Sequence, residues 1–163
     1  MTRVTRAVVL GSLSYPSEGP YMWFLRDLAR ARHLDVVDVT WDGGGVLRDL
    51  AGGDRLLLIG FGEASEAARF AADTRSPSIW LSPFLTKPDV AAAMVECEAP
   101  GLVVGSLACD TWDRTVAARL RWPEVLQLTS ADAMLQIPGD PDASLELLRR
   151  VVERSNALIR KIA

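Results

Sequence analysis

The chain has little from which to build a covalent or metal framework. Only two of its 163 residues are cysteines, Cys97 and Cys109. Two thiols are too few for a disulfide framework or a metal cage, so no metal and no cofactor is expected and a reducing cytoplasm is the default compartment. An excess of either charge is also lacking: 18 Lys or Arg against 21 Asp or Glu leave a net charge of −3. Binding nucleic acid by bulk charge needs clustered basic residues, which excludes that partner class. There is no membrane-spanning run either. The longest apolar stretches, residues 7–10 and 56–59, are strand-sized, far below the roughly 18 residues that cross a bilayer. The opening MTRVTRAVVLGSLSYPS joins charge to a short apolar run, but the run is β-branched and ends in a turn. It reads as a first strand, not a signal peptide. What the chain does have is apolar residues, 49% of the total, enough to exclude disorder and to bury one core. The length suits one domain over residues 1–163, with no internal repeat, linker or low-complexity stretch.

Six segments rich in Val, Leu and Ile are bounded by turn residues: 6–10, 34–39, 55–59, 78–81, 101–104 and 125–128. Most are apolar on both alternating faces, the pattern of strands buried in a parallel sheet. Helical segments lie between them. Residues 21–31 put Phe24, Leu25 and Leu28 on one stripe, 63–72 is Ala-rich, and 88–97 begins with Pro88 in its first turn, where the missing N–H costs nothing. Asp142 can cap a long last helix running to about Ile162, with Leu145, Leu148, Val152 and Ile159 at near-helical spacing. Gly43, Gly44 and Gly45 read as a flexible surface turn, with no lysine or helix start spaced to make a phosphate cradle. Repeated strand–helix–strand order predicts an α/β fold: a doubly wound, mainly parallel six-stranded sheet with helices on both faces. Ligands of such sheets bind beyond the carboxyl ends of the strands, which directs attention to loops 11–20, 60–65, 82–87, 106–113 and 129–138.

Those loops carry a resemblance. Ile79-Trp80-Leu81-Ser82-Pro83-Phe84-Leu85 is similar to a strand followed by a Trp-Leu-Thr-Pro segment. The stretch from Gly105 to Asp113, Gly-Ser-Leu-Ala-Cys-Asp-Thr-Trp-Asp, resembles an acid-delivering Gly-Gly-Thr-Ala-Asp-Pro-Thr-Trp-Asp loop. Ala131-Asp132-Ala133-Met134-Leu135, followed by Ile137-Pro138-Gly139-Asp140, resembles an Ala-Asp-His-Ser-Leu loop that delivers a histidine. In order and spacing, over nearly its whole length, the chain resembles a small, lidless α/β-hydrolase of the dienelactone-hydrolase-like kind, a reduced form of that fold. The resemblance implies that the third strand runs into a Gly-x-Ser-x-Gly nucleophile elbow.

At that elbow the chain reads Gly60-Phe61-Gly62-Glu63-Ala64, so Gly62 stands where the resemblance puts the serine. Ala133 stands at the histidine position. An ungapped match puts Cys109 at the acid position, and a one-residue shift puts Asp110 there. The chain's single histidine, His33, ends the first helix. Triad hydrolysis needs a hydroxyl to attack and an imidazole to carry its proton. Removing triad members from hydrolases lowers turnover by about 10⁴ to 10⁶, so ester hydrolysis is not expected. The backbone part of such a site can persist as an oxyanion-binding pair, from the Glu63 N–H and one N–H of residues 11–14.

Each remaining polar group has a chemical and a structural reading. Glu63 is an acid or base beside a bound carbonyl, or a carboxylate that the helix dipole favours in a first turn. Asp110 is a general base, or the cap of a helix starting near Trp112. Asp132 lies in the former histidine loop, or closes its own turn. Tyr15, with Glu18, offers a phenol to a substrate oxygen, or plugs a proline-containing loop. Cys109 is a nucleophile only if activated, and otherwise a small apolar filler. Ser65 lacks a base, and Ser12, Ser14 and Ser106 are loop hydrogen-bonders. Trp23, Trp80 and Trp112 line a pocket or fill the core, with Trp112 the best pocket candidate.

The expected pocket is therefore bounded by Gly11, Ser12, Tyr15, Gly62, Glu63, Cys109, Trp112 and Ala133. Emptied of three reactive groups, it suits an apolar small molecule transformed without an acyl-enzyme, by a lyase, isomerase or cyclase reaction with Tyr15, Glu63, Asp110 or Asp132 moving protons. The alternative is a pseudoenzyme that binds a ligand or partner, and residual hydrolysis is a third reading. The long last helix and the lidless architecture leave apolar surface for a homodimer.

Overall fold

A computed structural model describes residues 3–12, 19–41 and 45–163. Six strands, β1 (Arg6–Gly11), β2 (Asp35–Thr40), β3 (Leu56–Phe61), β4 (Ser78–Leu81), β5 (Gly101–Ser106) and β6 (Pro123–Leu128), form one sheet in the order β2-β1-β3-β4-β5-β6. Every neighbouring pair is parallel, from Arg6 opposite Asp35 at one edge to Ser106 opposite Leu128 at the other. Because all six strands point the same way, all six carboxyl ends open on one edge of the sheet, where the loops named above gather.

Period-two alternation divides the core into two layers. Ala7, Val9, Leu57, Ile59, Ile79, Leu81, Leu102 and Val104 face α1 (Pro20–Ala31) and α6 (Pro141–Ile162). Val8, Leu10, Leu56, Leu58, Trp80 and Val103 face the other four helices: α2 (Gly45–Ala51), α3 (Ala68–Thr74), α4 (Pro88–Glu96) and α5 (Arg114–Ala117). The inner strands β1, β3, β4 and β5 are apolar on both faces because both are covered. At the edge, β2 has one strand neighbour and mixes half-buried with exposed residues, none of them fully buried.

Four sequence expectations are corrected. The buried stripe of α1 is Tyr21, Met22, Leu25, Arg26 and Ala29, while Phe24 is 43% exposed beside Trp23. Five consecutive large residues, Tyr21 to Leu25, make that turn apolar all round, so spacing alone does not choose its inner face. In α6 the buried residues are Leu147, Val151, Ser155, Leu158 and Ile159, and Leu145 is 64% exposed. The cap of α6 is Asp140, whose Oδ1 accepts the Ala143 N–H at 3.0 Å, rather than Asp142. Finally, Gly45 opens α2, a helix whose Leu47 is fully buried. Among the described residues no helix is long and apolar enough to cross a membrane.

Candidate functional site

The elbow begins where β3 ends at Phe61. The chain turns at once into a 3₁₀ segment, Gly62–Ala67, which continues as α3. Gly62 adopts φ +57°, the left-handed region that glycine enters without a Cβ penalty. Close approach of strand and helix also restricts position 60, where an added Cβ would lie 2.7 Å from the Trp80 ring and 3.1 Å from the Ala64 Cβ. The sharp strand-to-helix turn implied by the resemblance is therefore present, with a glycine at its apex. Ser65 fastens it: its buried hydroxyl donates to the Gly62 carbonyl at 2.6 Å and accepts the Phe84 N–H at 3.0 Å. Glu63 is half-buried in the first turn, and its charge acts on Lys87, which bonds Glu66 at 2.5 Å.

The loop that the resemblance likens to an acid-delivering one follows β5. Cys109 is half-buried, and its thiol reaches the Ala131 carbonyl at 3.6 Å, joining this loop to the one after β6. Burial, followed by the charges of Asp132 and Asp110, raises the Cys109 thiol above its ordinary value and so disfavours the thiolate. Asp110 is exposed. The cap of α5 is Asp113, whose Oδ1 accepts the Thr115 N–H at 2.8 Å and the Val116 N–H at 3.1 Å. Trp112 is buried across Gly105, where an added Cβ would come within 2.1 Å of its ring, and its Nε1 donates to Gln127 at 2.9 Å.

In the loop after β6, Asp132 closes its own turn. Its Oδ1 accepts the N–H groups of Met134 and Gln136, both at 2.9 Å. This turn places Ala133, half-buried, where the resemblance puts a histidine. His33, the chain's single histidine, lies between α1 and β2, at the amino edge of the sheet beside Arg32 and Arg160. The sheet therefore separates the imidazole from the elbow. On β1, Gly11 is buried and accepts the Trp41 N–H at 2.8 Å, and half-buried Ser12 follows it. Tyr15, Ser14 and Glu18 lie outside the described residues.

A cavity of about 600 Å³ opens on the α1/α6 side of this edge. Its wall includes Tyr21 and Met22 of α1, Phe61 of β3, Asp132, Met134, Leu135 and Ile137 of the loop after β6, and Leu145 and Leu148 of α6. Asp132 belongs to this lining. Gly11, Ser12, Gly62, Glu63, Cys109, Asp110, Trp112 and Ala133 do not, although Phe61 and Asp132 directly precede Gly62 and Ala133. Tyr21 ties the wall together. Its hydroxyl donates to the Leu135 carbonyl at 2.9 Å, and its ring meets Phe61 edge-on at 6.2 Å. Burial, and then the negative charge of Asp132, raises the Tyr21 phenol well above its ordinary value, so its proton stays in place. Sequence reasoning missed Tyr21, Phe61, Met134 and Leu135. The available signal was a phenol within an otherwise apolar first helical turn, since a buried hydroxyl needs a partner.

No family model matches the chain, and no curated protein matches it. Solved structures do. Est1E from Butyrivibrio proteoclasticus superposes with a TM-score of 0.69 at 10% identity, covering 98% of this chain and 90% of that one. A monoacylglycerol lipase from Paleococcus ferrophilus gives 0.64 at 14% identity, over 96% and 97% of the two chains. Dienelactone hydrolase from Anabaena variabilis gives 0.58 at 11% identity, over 98% and 87%. These likenesses, with the six-stranded parallel sheet covered on both faces, show that the chain has the α/β-hydrolase fold. At such identities they carry the fold and leave the chemistry to the site.

Proposed function

We propose that this α/β-hydrolase-fold chain has vacated its acyl-transfer machinery and binds an apolar small molecule in the cavity beside the elbow. The observation that carries this reading is the pairing of a turn that has glycine at its apex with an adjoining apolar cavity of about 600 Å³. Position 62 offers no nucleophile, position 133 offers no base, and His33 lies at the other edge of the sheet. The two polar side chains best placed in the wall are engaged in structure: Tyr21 donates to Leu135, and Asp132 closes its turn through Oδ1. A cavity walled in this way holds a ligand without attacking it.

A second reading, that the bound molecule is transformed by proton transfer in a lyase, isomerase or cyclase reaction, is favoured by one detail. Among the described residues, Oδ2 of Asp132 accepts no hydrogen bond, which leaves one carboxylate oxygen for a ligand proton. Of the proposed proton-moving groups within the described residues, Asp132 is the one that lines the cavity.

The test is a panel of esters and thioesters offered to the native chain and to a Gly62→Ser, Ala133→His double variant. The native chain is expected to give no turnover above buffer. Turnover that appears in the double variant would identify the two emptied positions. Robust hydrolysis by the native chain would overturn the proposal.

A further inference from the structure

The charge of the cavity wall restricts its occupant further. Among the described residues, the charged side chains in the lining are Asp132 and Asp140, with no Lys, Arg or His. Asp140 is committed to the first turn of α6, where its Oδ1 caps the Ala143 N–H and the helix dipole offsets its charge. Asp132 is half-buried in the loop after β6. Both of its backbone hydrogen bonds fall on Oδ1, leaving Oδ2 without a partner among the described residues. Tyr21 and Phe61, meeting edge-on at 6.2 Å, add two aromatic rings to the same wall.

A carboxylate oxygen and aromatic rings in an apolar wall are together what an organic ammonium group recognises, through a charge-assisted hydrogen bond and ring quadrupoles. An anionic ligand would face one or two carboxylates with no cation to offset them. We infer that the cavity selects a small apolar amine in its protonated form, with the ammonium group on Asp132 Oδ2 and the hydrocarbon part among Met22, Met134, Leu135 and Leu148. Behind the larger effect of burial, the charge of Asp132 also raises the Tyr21 phenol, which agrees with a carboxylate facing this wall. The inference rests on the cavity being a ligand site, and it makes Asp132 an anchor rather than a proton carrier.

Three compounds of one skeleton test it on the full chain: 2-(1-naphthyl)ethylamine, 2-(1-naphthyl)ethanol and 1-naphthaleneacetic acid as its carboxylate, with binding followed by calorimetry. The amine is expected to bind about tenfold more tightly than the alcohol, the scale of one charge-assisted hydrogen bond, and the acid more weakly than either. Asp132→Asn keeps an oxygen to close the turn. It should abolish the amine's advantage over the alcohol. In the unaltered chain, added salt should erode the amine's advantage without affecting the alcohol, which gives a readout that does not depend on the variant folding. If the alcohol binds as tightly as the amine, or the advantage survives both Asp132→Asn and salt, the charge inference is overturned while the cavity reading stands. If none of the three binds, both fail together.

Discussion

Ser82 shows how a single residue can be held against its own preferences. It follows β4 with φ +46°, a left-handed conformation for a residue with a Cβ, and its buried Oγ has no hydrogen-bond partner among the described residues. Both features cost free energy: about 1 kcal/mol or more for the backbone and about 1–3 kcal/mol for an unmet buried hydroxyl. Ser82→Gly removes both at the expense of some unfolded-state entropy. We expect the variant to be more stable by about 1–2 kcal/mol in urea unfolding, and a loss of stability would contradict this account. Gly62 is the opposite case, since its φ of +57° suits the residue that is there.

At the scale of elements, the elbow is held by a bridge between neighbouring strand ends. The Ser65 hydroxyl links the carbonyl of Gly62, just past β3, to the N–H of Phe84, just past β4. Ser65→Ala removes both bonds from a buried position and should cost about 1–2 kcal/mol, read as a lower midpoint in chemical denaturation. Unchanged stability would mean that the turn is held by other contacts. Strands were legible to within one or two residues because their apolar runs are short and bounded by turn residues. Helix faces were not. Leu145 and Phe24 satisfy helical spacing yet are left largely exposed, because spacing marks a stripe along the helix while the packing of the helix on the sheet decides which face is covered.

Across the whole molecule, Glu66 joins three parts of the fold. Its carboxylate receives Lys87 Nζ at 2.5 Å and Trp41 Nε1 at 3.4 Å, so residues following β2, β3 and β4 meet there. The Lys87 hydrogen bond, against a smaller opposing effect of burial, holds the Glu66 carboxyl below its ordinary value of 4.5. A group depressed on folding contributes stability above its unfolded-state value and loses it as pH falls through the folded value. Lys87→Met should therefore destabilise the chain near neutral pH, by at most about 1 kcal/mol for so exposed a pair. The difference should vanish on acidification well below 4.5. An equal effect at neutral and acid pH would assign the loss to the Lys87 ammonium over the Phe84 ring, 5.2 Å from its centroid, rather than to the ion pair.

By itself the sequence determined the number and direction of the strands, the glycine at position 62 and the alanine at 133, and the near balance of charge. These follow from residue identity and local periodicity, which act over a few positions. Only the tertiary structure decided where the space lies. Cys109, which the ungapped match puts at the acid position, and Trp112, three residues on, pack against the Ala131 carbonyl and Gly105. Tyr21 and Leu135, 114 positions apart, meet across the cavity wall. A cavity is what remains after distant side chains have packed, and no local pattern records that remainder.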